Sequence, residues 1–443
     1  MYGSLVTAAD SSARRANASL GTRLLALFHA PTSAPDTSAV LRSVLWPLAI
    51  LSVIHRTVVL TTNGNITDDF KPVYRAVANF RRGYDIYNEH FDYVDPHYLY
   101  PPGGTLLMAP FGMLPETVSR YAFILVNAIA IVLAAYLLLR LFGYTLASVA
   151  APALLLAMFL TESVTNTLVF TNINGVILLA EVLFLRWLLS GAGSRVSHQW
   201  WAGLAVGLTL VVKPVLAPLL LLPLLNRQWR TLVTAFAVPA LFNLAAWPLV
   251  SDPMNWVTGT VPYMLGTRDY FNSSILGNGV YFGLPTALIL FLRVLFTVIA
   301  AVSIWLLYRY YRTRDPLFWL TTSSGVLLIA SFLVLSLGQG YYSMVLFPFL
   351  MTVVLPNSVL RNWPAWLGIY GFMSLDRWLL FNWMYVGRPL EYLKITYGWC
   401  LVLIVACTVL SFRYLDARAE NRLDEGIDPA WLTAREQRAS VDA

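Results

Sequence analysis

Apolar runs close to twenty residues long recur between positions 41 and 412, broken by short connections rich in Arg, Asn, Gly and Pro. About twenty apolar residues at ~1.5 Å each make a helix that crosses a ~30 Å hydrocarbon core. The pattern predicts spans near 41–62, 119–140, 144–160, 173–189, 231–249, 283–308, 316–337, 341–356, 363–383 and 395–412. Residues 200–225 break the regularity. They are too long for one ordinary helix and are interrupted at Lys213-Pro214. Proline removes a backbone donor and crowds the preceding turn. The run therefore predicts two half-helices that enter the membrane and return, with Lys213 at the outward vertex.

Loop charge orients the map, because Lys and Arg collect on the cytoplasmic side. With the N-terminus inside, the connections holding Arg140, Arg195, Arg227, Arg230, Arg309, Arg312, Arg314 and Arg361 all fall inside, provided that 200–225 goes out and back. The outer face then collects 63–103, 161–172, 250–282, 338–341 and 384–394, which hold most of the unusual polar sequence. Within the first outer loop, 70–82 predicts a short amphipathic helix at the interface. Pro101-Pro102-Gly103 predicts a turn, and the apolar piece 104–114 is too short to cross. Residues 1–40 lack the apolar core of a signal peptide and read as a cytoplasmic tail. Residues 41–412 read as one membrane domain of about 10–13 helices, and 413–443 as a second cytoplasmic tail.

Composition agrees and narrows the class. Hydrophobic residues are 58% and charged residues 12%, against roughly 45–50% and 25% in soluble domains. Such a chain cannot cover its own surface in water, which excludes soluble and secreted enzymes. The fold class expected is an all-α polytopic membrane protein embedded in a lipid bilayer. The net charge of +7 comes from scattered basic residues, so nucleic acid is not an expected partner. Cys400 and Cys407 are the only cysteines and sit in an apolar run. They make neither a disulfide framework nor a four-cysteine metal site.

Candidate chemistry clusters on the outer face. Asp68-Asp69 follows the first span; a carboxylate pair there suits a base, a metal ligand or a solvated surface. Lys213 lies inside an apolar run, where a charge costs ~2.5–3.5 kcal/mol on insertion scales and needs a partner or a task. Arg268 stands beside Asp269, Asn272 and Ser273, and Asn166, Asn172 and Asn174 lie near span ends. Asn172 also suits the cap of the helix that follows. His90 and His97 lack a further His at ligand spacing, so no metal site is expected from them. Glu181, Arg293, Asp376 and Arg377 read as buried charges, with Glu181–Arg293 as one pairing.

The stretches ITDDFKPVYRAVANFRRGYDIYNEHFDYVDPHYLYPPGG, FTNING, GTRDYFNSSILGNGVYFGLP and LPNSVLRNWPAWLGIYGFM carry a resemblance across nearly the whole membrane region. They resemble the GT-C glycosyltransferases that use polyprenyl-phosphate sugars. Within these they are similar to mycobacterial arabinofuranosyltransferases of the C type, which add α-(1→3) branches to cell-wall arabinan. The resemblance implies a GT-C-type bundle in the plasma membrane with its active site on the extracytoplasmic, periplasmic face. It implies decaprenylphosphoryl-β-D-arabinofuranose as donor, arabinan of arabinogalactan or lipoarabinomannan as acceptor, and an α-linked product. No cofactor is implied, and a divalent metal requirement is left open.

A β donor and an α product imply inversion by one displacement, with one carboxylate taking the acceptor proton and cationic or N–H donors stabilising the departing phosphate. The family pattern places the acid directly before a hydrophobic residue, which makes Asp69 the expected base and Asp68 the runner-up. Lys213, Arg268, Asn272 and Ser273 are the expected donor-binding residues. His97, Tyr100, Asn172, Asn174, Tyr341 and Tyr342 are expected at the sugar or the acceptor. Related mannosyltransferases often carry His where this chain reads Gln339-Gly340-Tyr341-Tyr342, so no histidine role carries over. Competing readings are a mannosyltransferase of the same class, a flippase or transporter of the lipid-linked sugar, and a non-catalytic partner of cell-wall synthases.

Overall fold

A computed structural model describes residues 37–62, 68–87, 90–92, 96–191 and 196–429. The expectations for residues 1–36 and 430–443, and for Arg195, fall outside these. Among the described residues the structure is helical and has no strand, as an all-α membrane fold requires. In lipid, a helix satisfies every backbone polar group within its own segment.

The helices run in the following order: α1 Thr37–Thr62, α2 Phe70–Arg82, α3 Pro102–Met108, α4 Glu116–Leu141, α5 Ala150–Phe159, α6 Glu162–Val169, α7 Asn174–Gly191, α8 Val196–Val212, α9 Pro214–Leu225 and α10 Trp229–Leu249. After these come α11 Val261–Leu265, α12 Ile275–Tyr281, α13 Thr286–Tyr310, α14 Pro316–Val334, α15 Gly340–Val354, α16 Trp363–Met373 and α17 Met384–Ala419. Six of them (α1, α4, α10, α13, α14 and the helix containing α17) are long and apolar enough to cross a bilayer. The pair α5–α6, bent by 59°, makes a seventh if counted as one span.

This is fewer than the 10–13 expected from apolar runs, and the differences have physical causes. The span expected at 363–383 stops at Met373, a length of only ~16 Å; residues 374–380 continue without helical structure. The run at 341–356 is divided between 3-10 and α turns. Residues 384–394, expected as a loop, instead form the first turns of α17, which runs unbroken through 36 residues. Pro101-Pro102-Gly103 does not turn the chain: Pro102 opens α3, where proline's missing N–H costs nothing. Asp376 and Arg377 are exposed rather than buried. Glu181 does not pair with Arg293, whose Nε donates to the Val334 carbonyl at 2.8 Å.

The broken hairpin forms as the sequence predicts. Lys213 is extended (φ −149°, ψ 114°) between α8 and α9. Gln228 Nε2 donates to the Leu188 carbonyl at 3.0 Å and Thr231 Oγ1 to the Gln199 carbonyl at 3.0 Å. The entry to α8 and the exit from α9 therefore share one end of the bundle. Lys213, at the opposite end, meets the start of α7. Close packing of α8 on α10 depends on Gly203, where a Cβ would lie 2.5 Å from the Thr231 carbonyl oxygen; small residues are what let membrane helices approach.

The two ends differ in chemistry. Arg312, Arg314, Arg361 and Arg413 bond carbonyls of neighbouring segments at the end shared by Leu225 and Asn357. This is the basic end, the one that the loop charges lead one to expect inside. At the other end Lys394, 4% exposed, reaches Glu162 at 3.4 Å, Glu391 at 3.3 Å and the Asp376 carbonyl at 3.0 Å. It ties α6 to the protruding start of α17.

Candidate active site

Asp68 and Asp69 are neighbours in sequence but face different surroundings, because the chain turns into α2 between them. Asp68 Oδ1 accepts from the Phe70 N–H at 2.9 Å. Asp68 Oδ2 accepts from Arg120 Nε of α4 at 2.6 Å. Arg120 also reaches the Thr61 carbonyl of α1 at 3.4 Å. The pair fastens α1, α2 and α4 together with both carboxylate oxygens engaged. Sequence reasoning missed Arg120, although a lone arginine one turn into an apolar span is itself a signal. Removing one partner strands the other in a half-buried setting. Arg120→Ala should cost roughly 1–3 kcal/mol of stability. In a thermal-unfolding double-mutant cycle, the further loss from adding Asp68→Asn should be well below its effect alone.

Asp69 turns the other way. Its backbone N–H donates to the Phe170 carbonyl at 2.8 Å, and its Oδ2 accepts from Asn172 Nδ2 at 2.6 Å. Between those two partners Thr171 sits at φ 55°. A β-branched residue rarely adopts that region, which costs of order 1–3 kcal/mol. The strained residue makes the tight turn from α6 to α7 that presents both Phe170 and Asn172 to Asp69. Asn172 is thus not the cap of α7; Asn127 Oδ1 of α4 takes that place by accepting from Val176 N at 3.3 Å. Burial lifts the Asp69 carboxyl above the usual carboxylate range, opposed by the Asn172 hydrogen bond and the charge of Lys213. Desolvation always disfavours the charged form.

Lys213 arrives from the vertex of the α8–α9 hairpin. Its Nζ lies 3.5 Å from Asn172 Oδ1 and 3.4 Å from Asn174 Oδ1. It also lies 5.0 Å from the Tyr341 ring centroid and 4.6 Å from that of Tyr342, within cation–π range. Asn172 therefore stands between a carboxylate and an ammonium, one end of its amide on each.

These groups line one cavity of about 620 Å³. Of the residues expected from sequence, Asp69, His97, Tyr100, Asn172, Lys213, Arg268, Tyr341 and Tyr342 line it. Arg268 does not pair with Asp269; its guanidinium lies over Tyr263 and Tyr270. His97 packs edge-on against Phe91 and Tyr263. Asn174 sits behind the cavity wall and acts on Lys213. Asn272 and Ser273 also stay behind the wall. The amide of Asn272 is spent on the Arg268 and Ser336 carbonyls and on the N–H groups of Ser274 and Gly338. It braces the Arg268 loop and has no capacity left for a ligand. With Asp68 bound to Arg120, no second carboxylate among the described residues joins Asp69 in the cavity lining.

A second, apolar cleft of about 630 Å³ is lined by residues of α9, α13 and α14, among them Leu221, Leu225, Ile304, Trp305 and Leu327. The two cavities meet at Ser331 and Leu335, which line both. From that junction the apolar cleft extends to Leu225, whose carbonyl accepts from Arg312 at the basic end. A polar head chamber lined by two cations, Lys213 and Arg268, thus lies beside an apolar cleft, with Ser331 and Leu335 shared between their walls.

Residues 98–336 match the model of glycosyltransferase family 87. The chain is 76% identical over 433 residues, 98% of each chain, to an α-(1→3)-arabinofuranosyltransferase of Mycobacterium tuberculosis. It is 69% identical over 437 residues, 99% of each, to the enzyme of the same name from Mycolicibacterium smegmatis. A third relative of that name, from Corynebacterium glutamicum, is 43% identical over 364 residues, covering 82% of this chain and 85% of the relative. No solved structure matches.

Proposed function

This chain belongs to glycosyltransferase family 87 as a membrane arabinofuranosyltransferase of the C type, and from that premise we propose the reaction it performs. It moves arabinofuranose from decaprenylphosphoryl-β-D-arabinofuranose to an arabinan acceptor, forming an α-(1→3) branch with inversion. The observation that carries this reading is the head chamber itself. A carboxylate (Asp69) and a cation that makes no ion pair among the described residues (Lys213) face one space, and an apolar cleft borders it at Ser331 and Leu335.

The donor's polyprenyl chain lies in the cleft and its phosphate meets Lys213 and Arg268. The acceptor O3–H is directed at the anomeric carbon from the side of Asp69. As the new C1–O bond forms, the C1–O bond to phosphate breaks with its electron pair. Decaprenyl phosphate leaves with its added charge stabilised by the two cations. The acceptor proton passes to the Asp69 carboxylate. Tyr100, Tyr341 and Tyr342 wall the sugar, and His97 stands at the acceptor side.

The test is purified protein in lipid with the decaprenyl donor and a synthetic oligo-arabinofuranoside, followed by linkage analysis of the product. A new α-(1→3) bond supports the proposal. Donor movement across the bilayer without a new bond would make the protein a flippase, and transfer of mannose from a mannosyl donor would change the sugar.

We assign the reaction to the extracytoplasmic face, a reading supported by the basic end lying opposite the chamber. Ser273 is buried and makes a poor probe, whereas Tyr385 is 97% exposed at the chamber end. In intact cells an impermeant maleimide should label Tyr385→Cys and spare Thr313→Cys, in a background lacking Cys400 and Cys407. The reverse pattern would invert the topology and the face.

A further inference from the structure

We propose that the exposed face of the protruding start of α17 is a remote subsite for the glycan acceptor. There an aromatic stripe would hold the polymer outside the catalytic chamber. The proposal rests on the acceptor reading given above and extends it to residues that touch neither donor nor reacting atoms.

The helix is too long for the membrane. Thirty-six residues rise ~54 Å, against a hydrocarbon core of ~30 Å. Its inner end is fixed by Arg413, which donates to the Asn357 carbonyl at 2.8 Å. Counting back ~20 residues, the length of one crossing, reaches the level of Lys394. The turns from Met384 to Lys394 therefore stand beyond the hydrocarbon core on the chamber side, and the charges of Arg388 and Glu391 within them agree with that position.

One face of these turns carries Tyr385, Arg388 and Tyr392, spaced three and four residues apart and so aligned along the helix. The next position on that face is Thr396. Its hydroxyl donates to the Ser273 carbonyl at 2.7 Å and accepts from Asn278 Nδ2 at 2.7 Å. The stripe thus leads down to the loop that Asn272 braces and whose Arg268 lines the chamber. It is also stiff. Tyr392 stacks on Tyr281 of α12 with ring centroids 4.6 Å apart and planes 17° apart, and Arg388 donates to the Tyr281 hydroxyl at 2.8 Å. At its upper end Tyr385 is 97% exposed, and Trp383, the residue just before the helix, is 70% exposed.

A glycan fits this surface on two counts. The chamber, at about 620 Å³, is the size of a small-molecule pocket. It cannot house a donor head group together with more than the end of a polymer, so the remaining acceptor must lie along the outer surface. Rigid amphipathic rings offer apolar area to the C–H face of a sugar at small entropic cost. Arg388 between them supplies fixed donors to hydroxyls without an anionic partner to displace.

The test compares acceptors of different length on the full-length protein in lipid, using Tyr385→Ala, Trp383→Ala and the double variant. Both side chains are exposed, so their truncation leaves the fold intact. With an acceptor of two or three arabinofuranose residues, all variants should match the parent. With an acceptor of a dozen or more, the acceptor KM should rise about threefold per ring and about tenfold in the double variant, with kcat and donor KM unchanged. Equal KM for long acceptors in parent and double variant would overturn the subsite while leaving the transferase reading intact. An equal loss with short and long acceptors would place these rings at the chamber and also overturn it. If the variants lose only binding to acceptor-free lipid vesicles, the stripe is a membrane anchor and the proposal fails. A parent protein that transfers to no acceptor would instead overturn the transferase reading.

Discussion

Asp69→Asn should leave a folded protein that binds the lipid donor within a few fold of the parent but turns it over at least ~10²–10⁴-fold more slowly, the range typical of general-base loss. The amide keeps the size of the carboxylate and part of its hydrogen bonding to Asn172, but it cannot take a proton near neutral pH. The comparison with Asp68→Asn is now sharper than the sequence made it. Asp68 is held by Arg120 and the Phe70 N–H, so its replacement should lower the melting temperature and leave the turnover of the folded fraction largely intact.

The acid side of the pH–rate profile gives an independent reading of the same residue. The base must be unprotonated, and burial raises its folded pKa. Activity should therefore fall, as pH decreases, at a value above the ordinary carboxylate pKa of about 3.9. Asn172→Ala removes a hydrogen bond that favours the charged form, so this limb should move to still higher pH. Near-normal turnover in Asp69→Asn together with a dead, well-folded Asp68→Asn would exchange the two roles. Normal turnover in both would remove the base from this motif.

What the sequence made legible was whatever depends on local pattern. The spans α1, α4, α10, α13 and α14 follow from apolar length, and the break at Lys213 follows from a proline inside an apolar run. The boundaries of α16 and α17 did not follow, because hydropathy cannot separate a helix that crosses lipid from one that buries its faces in protein. Gly368, Gly371 and Gly398 let α16 lie directly on α17; a Cβ on Gly398 would sit 2.4 Å from the Gly368 carbonyl oxygen. Contacts of that kind join residues far apart in the chain and leave no periodic trace. The same reason explains Asn272. A conspicuous polar residue in an outer loop looks like a ligand contact until the Ser336 and Gly338 backbone groups appear beside it. Arg120 escaped notice for the complementary reason, since its partner Asp68 lies 52 positions away.

Lys213→Met should make the protein more stable and a much poorer enzyme. The lysine faces two amide oxygens at 3.4–3.5 Å and two tyrosine rings, but among the described residues it makes no ion pair. Burying a charge without an ionic partner is costly. A methionine of similar length fills the same space without that cost, so the melting temperature of the donor-free protein should rise.

Function should move the other way. A charge-assisted contact to phosphate is worth ~1.5–3 kcal/mol, so the donor KM should increase about 10- to 150-fold while the acceptor KM stays within a few fold. Lys213→Arg should recover only part of this, because a planar fork replaces a compact charge in a space set by Tyr341 and Tyr342. The donor should also stabilise the parent against heat much more than it stabilises Lys213→Met, since a ligand raises the melting temperature only in proportion to its binding. A stabilised Lys213→Met with an unchanged donor KM would mean that the phosphate does not meet this lysine, and Arg268 would then be the cation to test. A destabilised Lys213→Met would mean that the hairpin vertex needs the charge for its own packing. The opposite signs of the two effects are what distinguish a ligand site held ready at a cost in stability from a structural lysine.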